Sequence, residues 1–214
     1  MDLNLTEIFE SVQGETSLTG LPTTFVRLAG CNLRCSWCDT PYSFPRGDST
    51  PLDKVISEIS NNGHKHVCVT GGEPLLQNNV HPLMKHLCDM DFTVSIETGG
   101  SLTIASIDPR VIVILDIKCP GSGMSHKNLW DNLSHLKAID EVKFVIKDKD
   151  DYSYAVNVSK KYHLFERHKQ VLFSPVFESL CPKELVSWIL EDKLPVRLNL
   201  QTHKYIWSPE TKGV

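Results

Sequence analysis

The fold class this sequence predicts is α/β with parallel strands, and three observations predict it. Short apolar runs rich in Val, Ile and Phe recur at residues 24–28, 65–70, 93–97, 111–116, 141–146, 170–173 and 196–200. Segments between several of them carry helical periodicity instead. Polar residues stand directly after most runs, where an α/β architecture gathers its ligands.

Each element follows from its residues. Runs that are apolar on both faces suit strands covered on both sides. Leu52, Val55, Ile56 and Ile59 share one helical face, and Leu83, Leu87 and Met90 share another. Leu129, Leu133 and Leu136 recur at helical spacing, and Leu185, Val186 and Ile189 repeat the pattern near the end. Such alternation predicts parallel strands joined by right-handed crossovers, and either a doubly wound sheet or a barrel fits it. The residues that follow the runs are Thr70-Gly71-Gly72-Glu73, Glu97-Thr98-Gly99-Gly100, Asp116-Ile117-Lys118, Lys147-Asp148, Ser174-Pro175 and Gln201-Thr202-His203-Lys204. A loop with three cysteines follows the first run. Lys147-Asp148-Lys149-Asp150-Asp151 reads as a solvated strand–helix turn.

Length and composition bound the function. The chain has 214 residues, which predicts one domain over 1–214. Hydrophobic residues at 41% and charged residues at 22% exclude a disordered or collagen-like chain. Twenty-two Lys+Arg against twenty-six Asp+Glu give a net charge of -4, without the basic excess of a nucleic-acid binder. No apolar run approaches the ~20 residues that cross a bilayer, so no membrane partner is expected. Residues 1–10 lack the basic-then-apolar order of a secretory signal, and the expected compartment is the cytoplasm.

Seven cysteines, an odd number, argue against a disulfide framework. Cys68 and Cys88 read as buried small hydrophobes. The other notable group is Gly30-Cys31-Asn32-Leu33-Arg34-Cys35-Ser36-Trp37-Cys38-Asp39-Thr40, with the spacing C-x3-C-x2-C. Three thiolates on one short loop suit a metal or a cluster. Structural zinc normally takes four ligands, and Cys68, Cys119 or a His is available as a fourth. An iron–sulfur cluster held by three thiolates keeps one iron open for catalysis. The pairs His64/His66 and His163/His168 are not expected to hold a metal. Trp130, Trp188 and Trp207 read as packing residues.

The cysteine loop, with its aromatic before the last Cys, resembles the radical S-adenosylmethionine superfamily. Gly71-Gly72-Glu73-Pro74 is that superfamily's second mark. Further strings narrow the resemblance: Glu7-Ile8-Phe9-Glu10-Ser11-Val12-Gln13-Gly14-Glu15, Phe25-Val26-Arg27-Leu28-Ala29-Gly30, Trp37-Cys38-Asp39-Thr40, Ile96-Glu97-Thr98-Gly99-Gly100, Asp116-Ile117-Lys118-Cys119-Pro120 and Gln201-Thr202-His203-Lys204. Together they are similar to the 7-carboxy-7-deazaguanine synthase family across nearly the whole chain. One departure is that the family often has Gly after Gln-Gly-Glu, where this chain has Thr16.

The resemblance implies an incomplete (β/α)6 TIM-like barrel and a homodimer. It implies a radical ring contraction of 6-carboxy-5,6,7,8-tetrahydropterin to 7-carboxy-7-deazaguanine, with loss of ammonia. The cofactors it implies are a [4Fe–4S] cluster, S-adenosylmethionine and Mg2+, with a flavodoxin- or ferredoxin-type electron donor. Cys31, Cys35 and Cys38 take the cluster and Thr40 the Mg2+, although residue chemistry alone favours Asp39 for a hard cation. Val12, Gln13, Gly14, Arg27, Thr70, His203 and Val214 take the pterin. A guanidinium fork such as Arg27 pairs bidentately with a carboxylate. Gly72, Asp116, Ile117, Lys118, Ser174, Pro175 and Val176 take S-adenosylmethionine. Glu97 is open between pairing with the ligand and pairing with Lys118. Two alternatives stand: an activating enzyme that abstracts hydrogen from a protein glycine, and a zinc-stabilised binding module. The Gln-Gly-Glu opening and the Gln-x-His-Lys ending argue against the activating enzyme.

Overall fold

The computed structural model describes residues 1–167 and 170–214, so His168 lies outside the described residues. The strands are β1 (Asp2–Val12), β2 (Pro22–Leu28), β3 (Asp48–Pro51), β4 (His66–Gly71), β5 (Thr93–Thr98), β6 (Ile112–Asp116), β7 (Glu141–Ile146), β8 (Val171–Pro175) and β9 (Arg197–Leu198). They form one sheet in the order β3-β1-β2-β4-β5-β6-β7-β8-β9. Every pairing from β2 to β9 is parallel, while β1 runs antiparallel to both β2 and β3. The two margins, β3 and β9, do not pair with each other.

The helices are α1 (Leu52–Asn62), α2 (Val80–Asp89), α3 (Asn132–His135), α4 (Lys149–Lys161), α5 (Leu164–Arg167), α6 (Pro182–Glu191) and α7 (His203–Ile206). The expected helical faces bury Val55 and Ile59 on α1, Leu83 and Leu87 on α2, and Leu185 and Ile189 on α6. They cover strand residues such as Val67, Val69, Ile96, Phe144 and Ile146. Met90 falls outside this face, beyond the end of α2, and is exposed. Gly63, at φ 74°, ends α1 in the left-handed region that glycine enters without strain.

Several elements depart from the sequence expectation. β1 and β3 are additional strands. A register shift between Leu5 and Glu7 breaks the alternation that would have marked β1. The leucine repeat at 129–136 yields only the single turn α3, and Leu129 is exposed. Asn132 explains this: its Oδ1 accepts from Ile104 N at 3.1 Å, and its Nδ2 donates to Leu102 O at 2.8 Å and Gly100 O at 3.3 Å. That amide pins the helix-free connection between β5 and β6. The run 196–200 forms only two ladder residues; just beyond them Asn199 N still donates to Phe173 O at 2.9 Å, and its side chain bonds Thr16 N at 2.7 Å and Ser174 Oγ at 2.8 Å. Asp151 is not solvated as expected but buried. Its carboxylate accepts from Gly121 N at 2.8 Å and Lys147 N at 3.1 Å, while Asp148 caps α4.

The loop 13–21 between β1 and β2 joins the margins that strand pairing leaves apart. Ser17 donates its backbone N–H and hydroxyl to Glu141 on β7. Gly14 O accepts from Thr202 N at 2.9 Å and from the Thr202 hydroxyl at 3.0 Å. Thr16 is buried at φ 69°, a left-handed conformation unfavourable for a β-branched residue. The departure from the family's glycine thus falls on a position whose backbone suits glycine. Thr16 Oγ1 accepts from Leu18 N at 3.2 Å, which offsets part of the strain.

His66 ties the lower ends of β2, β4 and β5. Its Nδ1 lies 2.8 Å from Thr23 Oγ1, and its Nε2 3.1 Å from Ser95 Oγ. The Thr23 hydroxyl already donates to Leu21 O at 2.9 Å, so Nδ1 carries the imidazole proton and Nε2 accepts from Ser95. Burial pushes His66 down to about 4 from its ordinary 6.5. The unfolded chain therefore takes up this proton first, and the stability tied to neutral His66 is full above pH 6.5 and lost as pH falls toward 4. A His66→Gln variant lacks that loss. Denaturant titrations of the cluster-free protein are expected to show wild type losing roughly 3 kcal/mol more than the variant between pH 7 and pH 4. Parallel slopes for the two proteins contradict the assignment.

Candidate active site

The carboxyl ends of the parallel strands open into one cavity, continuous with solvent. Strand alternation sets its walls. On β2, Phe25 and Arg27 face inward; on β1, Phe9 stacks on Phe25 with ring centroids 4.9 Å apart. Cys31, Cys35 and Cys38 line the rim, half-buried and unpaired. Burial raises the thiol pKa of Cys31 and of Cys35. Cys68 and Cys119, the candidate fourth ligands of a zinc site, lie elsewhere. Cys68 is buried among Gln13 and Glu97, at 3.6 and 3.7 Å, and Cys119 sits in the core. Among the described residues, no three His, Cys, Asp or Glu side chains converge tightly enough for a single metal ion. Three thiols spaced around one rim, without a converging fourth, fit a larger group with an open position.

Backbone close approach shapes the cluster side. A Cβ on Gly72 would stand 2.3 Å from Gly30 O and 2.7 Å from the Cys31 Cβ. The Gly72 N–H donates to Leu28 O at 3.1 Å, and Glu73 N donates to Gly30 O at 2.9 Å. Glu73 is fully buried and accepts from Thr98 Oγ1 at 2.8 Å, Gly99 N at 2.8 Å and Leu75 N at 3.1 Å. Its carboxylate therefore locks the Gly-Gly turn to the end of β5. Beside it, Lys118 Nζ pairs with Asp116 Oδ2 at 2.9 Å, while the buried Asp116 Oδ1 has no partner. Burial works against the charge on Lys118, but Asp116 raises its pKa. An orphaned carboxylate oxygen facing this wall suits a ligand that brings donors, such as the ribose hydroxyls or amine of S-adenosylmethionine.

The opposite side is built by loop 13–21 and residues 199–204. Lys143 on β7 forms a buried ion pair with Glu15. Burial alone would raise Glu15 and lower Lys143, but each partner reverses this, holding Glu15 down and Lys143 up. Glu15 Oε1 accepts from Gln201 Nε2 at 3.1 Å, and that same amide donates to Asp39 Oδ2 at 2.9 Å. Lys204 Nζ lies 3.3 Å from Asp39 Oδ2. Gln13 Nε2 donates to Glu97 Oε1 at 3.3 Å, and Thr70 Oγ1 to Glu97 Oε2 at 3.5 Å. Burial and the nearby Glu15 raise the Glu97 pKa. Lys118 is thus the partner of Asp116, and of the two readings left open for Glu97 the pairing with Lys118 is not formed.

The structure brings Val12, Gln13, Gly14, Arg27, Cys31, Cys35, Cys38, Thr40, Thr70, Gly72, Asp116, Lys118, Val176, His203 and Val214 onto this cavity. It does not bring Ile117, Ser174 or Pro175. Ile117 points into the core and its N–H donates to Lys143 O at 2.9 Å. Ser174 is buried against Asn199, and Pro175 lines a separate hollow beside Phe177 and Tyr205. Glu15, Lys143, Gln201 and Lys204 are wall residues without a role in the sequence reading. A charged Lys143 between Val142 and Phe144 was the available signal.

A family model, the Radical SAM superfamily, matches residues 25–116. A Koribacter versatilis protein named 7-carboxy-7-deazaguanine synthase is 43% identical over 99% of this chain and 100% of its own length. One of the same name from Chlorobaculum tepidum is 42% identical over 99% and 97%. The chain belongs to the 7-carboxy-7-deazaguanine synthase family. The crystal structure of QueE from Escherichia coli superposes with a TM-score of 0.78 at 23% identity, covering 95% of each chain. The incomplete TIM-like barrel is therefore shared with it, as the resemblance implied. The radical chemistry of this superfamily implies an iron–sulfur cluster and S-adenosylmethionine.

Because Gly72 has no room for a side chain, Gly72→Ala is expected to push the cysteine loop outward. Anaerobic reconstitution should then incorporate less than half the wild-type iron, read by metal analysis. Full iron content with an unchanged melting temperature contradicts this packing.

Proposed function

We propose that this chain is a 7-carboxy-7-deazaguanine synthase, converting 6-carboxy-5,6,7,8-tetrahydropterin to 7-carboxy-7-deazaguanine with loss of ammonia. The observation that carries the reading is the meeting, in one cavity, of three thiols, the bare Gly72 backbone and the Arg27 guanidinium. A [4Fe–4S] cluster on Cys31, Cys35 and Cys38 supplies, when bound and reduced, the electron that cleaves S-adenosylmethionine and so the radical that takes hydrogen from C6 of the pterin.

The chain's own residues bind and orient. The Gly72 edge accepts the methionine part of the cosubstrate, and Asp116 and Lys118 face its polar groups. Of residues 174–176, Val176 offers the apolar contact. Arg27 holds the pterin carboxylate. Its one side-chain hydrogen bond among the described residues uses Nε, so the terminal amino groups are available. Gln13 and Thr70, fixed by Glu97, present polar atoms to the ring edge. Val12, Gly14, His203 and Val214 complete the pterin side. A Cβ on Gly14 would lie 2.3 Å from His203 Nδ1, so the two pack without a gap.

Thr40, in the rim beside Cys38, is the proposed Mg2+ ligand, with water and substrate oxygens completing the shell. Asp39 is already engaged by Gln201 and Lys204, which is why its neighbour is the better candidate. A flavodoxin- or ferredoxin-type donor, a homodimer and a cytoplasmic site complete this reading.

Enzyme reconstituted anaerobically and given S-adenosylmethionine, dithionite and the tetrahydropterin is expected to yield 7-carboxy-7-deazaguanine by mass spectrometry. Cys35→Ser should yield none and lose its cluster absorbance. Cleavage of S-adenosylmethionine without conversion of the pterin rejects the reading. Thr40→Val is expected to abolish stimulation by added Mg2+ while leaving iron content unchanged; retained stimulation removes Thr40 from the metal's shell.

A further inference from the structure

Arg27 does not stand alone in the cavity. Its partner in the β1–β2 ladder is Glu7, directly opposite. Leu5, two residues earlier, pairs with Leu28 on the face that helices cover. Ordinary alternation would leave Glu7 on that same covered face. The register shift between Leu5 and Glu7 turns Glu7 to the inner side, against Arg27. Arg27 Nε then donates to Glu7 Oε1 at 2.7 Å. The Tyr42 hydroxyl donates to the same oxygen at 2.9 Å. Phe9 and Tyr42 flank the guanidinium, with ring centroids 5.3 and 5.8 Å from Cζ. Both members of the ion pair are largely buried, at 13% and 22% side-chain exposure, which removes it from the class of solvated surface pairs.

A guanidinium offers a carboxylate two edges: Nε with one terminal nitrogen, or the two terminal nitrogens together. Glu7 occupies the first edge. We infer that Glu7 and Tyr42 are positioning residues that hold Arg27 end-on, so that its two terminal nitrogens receive the substrate carboxylate. The inference rests on the proposed contact between Arg27 and that carboxylate. It has a cost. Glu7 also neutralises part of the charge that attracts the ligand, so orientation must outweigh attraction.

That balance makes the inference testable by binding. The probes are 6-carboxypterin and pterin, which differ only in the carboxylate. Calorimetry on the reconstituted holoenzyme with S-adenosylmethionine gives the ratio of their dissociation constants. Arg27→Met tests the underlying reading: an unchanged ratio removes Arg27 from the carboxylate and the inference with it. Where Arg27→Met collapses the ratio, Glu7 is decisive. Glu7→Ala is expected to reduce the ratio about tenfold, the worth of an oriented hydrogen bond to a charged group. Glu7→Gln keeps an acceptor for Nε and is expected to recover most of it. A ratio unchanged or increased in Glu7→Ala means that Glu7 only neutralises charge, and overturns the inference. Should Glu7→Ala fail to fold or load iron, Tyr42→Phe decides: a severalfold drop supports positioning, and no drop overturns it. Affinity for S-adenosylmethionine should be unchanged throughout.

Discussion

The buried pair between Lys143 and Glu15 is the interaction on which the site's architecture depends. The sheet does not close on itself, so nothing in the strand ladder holds loop 13–21 inside the bore. Lys143 reaches inward from β7 and meets Glu15 near the start of that loop. Removing either partner strands the other charge in a poorly solvated interior, which typically costs about 3–5 kcal/mol. The pair also orders what surrounds it. Glu15 takes the Gln201 amide, Gln201 takes Asp39, and Asp39 sits between Cys38 and Thr40. A charge on one strand is thus connected, through three side chains, to the loop that carries the cysteines.

Close approach of backbones is the second constraint, and it explains where glycine is indispensable. Gly72 lies against Gly30 and Cys31, and Gly14 lies against His203. In both places two segments far apart in sequence approach so closely that a Cβ on the glycine would collide with its neighbour. Thr16 shows the contrary case. Its backbone adopts a conformation suited to glycine, yet its hydroxyl, buried in the loop, accepts from Leu18 and so supports the turn it strains.

Much of this was legible in the residues. The parallel strands and the helices α1, α2 and α6 lie in or beside stretches whose pattern is carried by buried aliphatic side chains, and burial on both faces of the strands leaves little alternative reading. The cysteine loop and the Gly-Gly turn were legible because their chemistry is local. What was not legible depends on contacts far apart in sequence. The strand β1 hides behind a register shift, and the strand within 196–200 is only two residues long, ending beside Asn199, whose side chain bonds Thr16, 183 positions away. Lys143, Glu15 and Gln201 carry no local signature of meeting. Asp116 and Lys118 could be placed at a strand end but not paired, which left the partner of Glu97 open.

The resulting cavity is electrically divided. On the side of the cysteine loop, one oxygen of Asp116 pairs with Lys118 and the other is buried without a partner. On the far side, Glu97 stands beside the Glu15–Lys143 pair with its pKa raised by burial and by Glu15. Arg27 and its Glu7 partner lie on the remaining wall. In the proposed reading, the wall with the unpartnered carboxylate oxygen takes the cationic cosubstrate. The wall with free guanidinium nitrogens takes the anionic substrate. The two ligands carry those opposite features, so the division of charge would order them within one space before any chemistry begins.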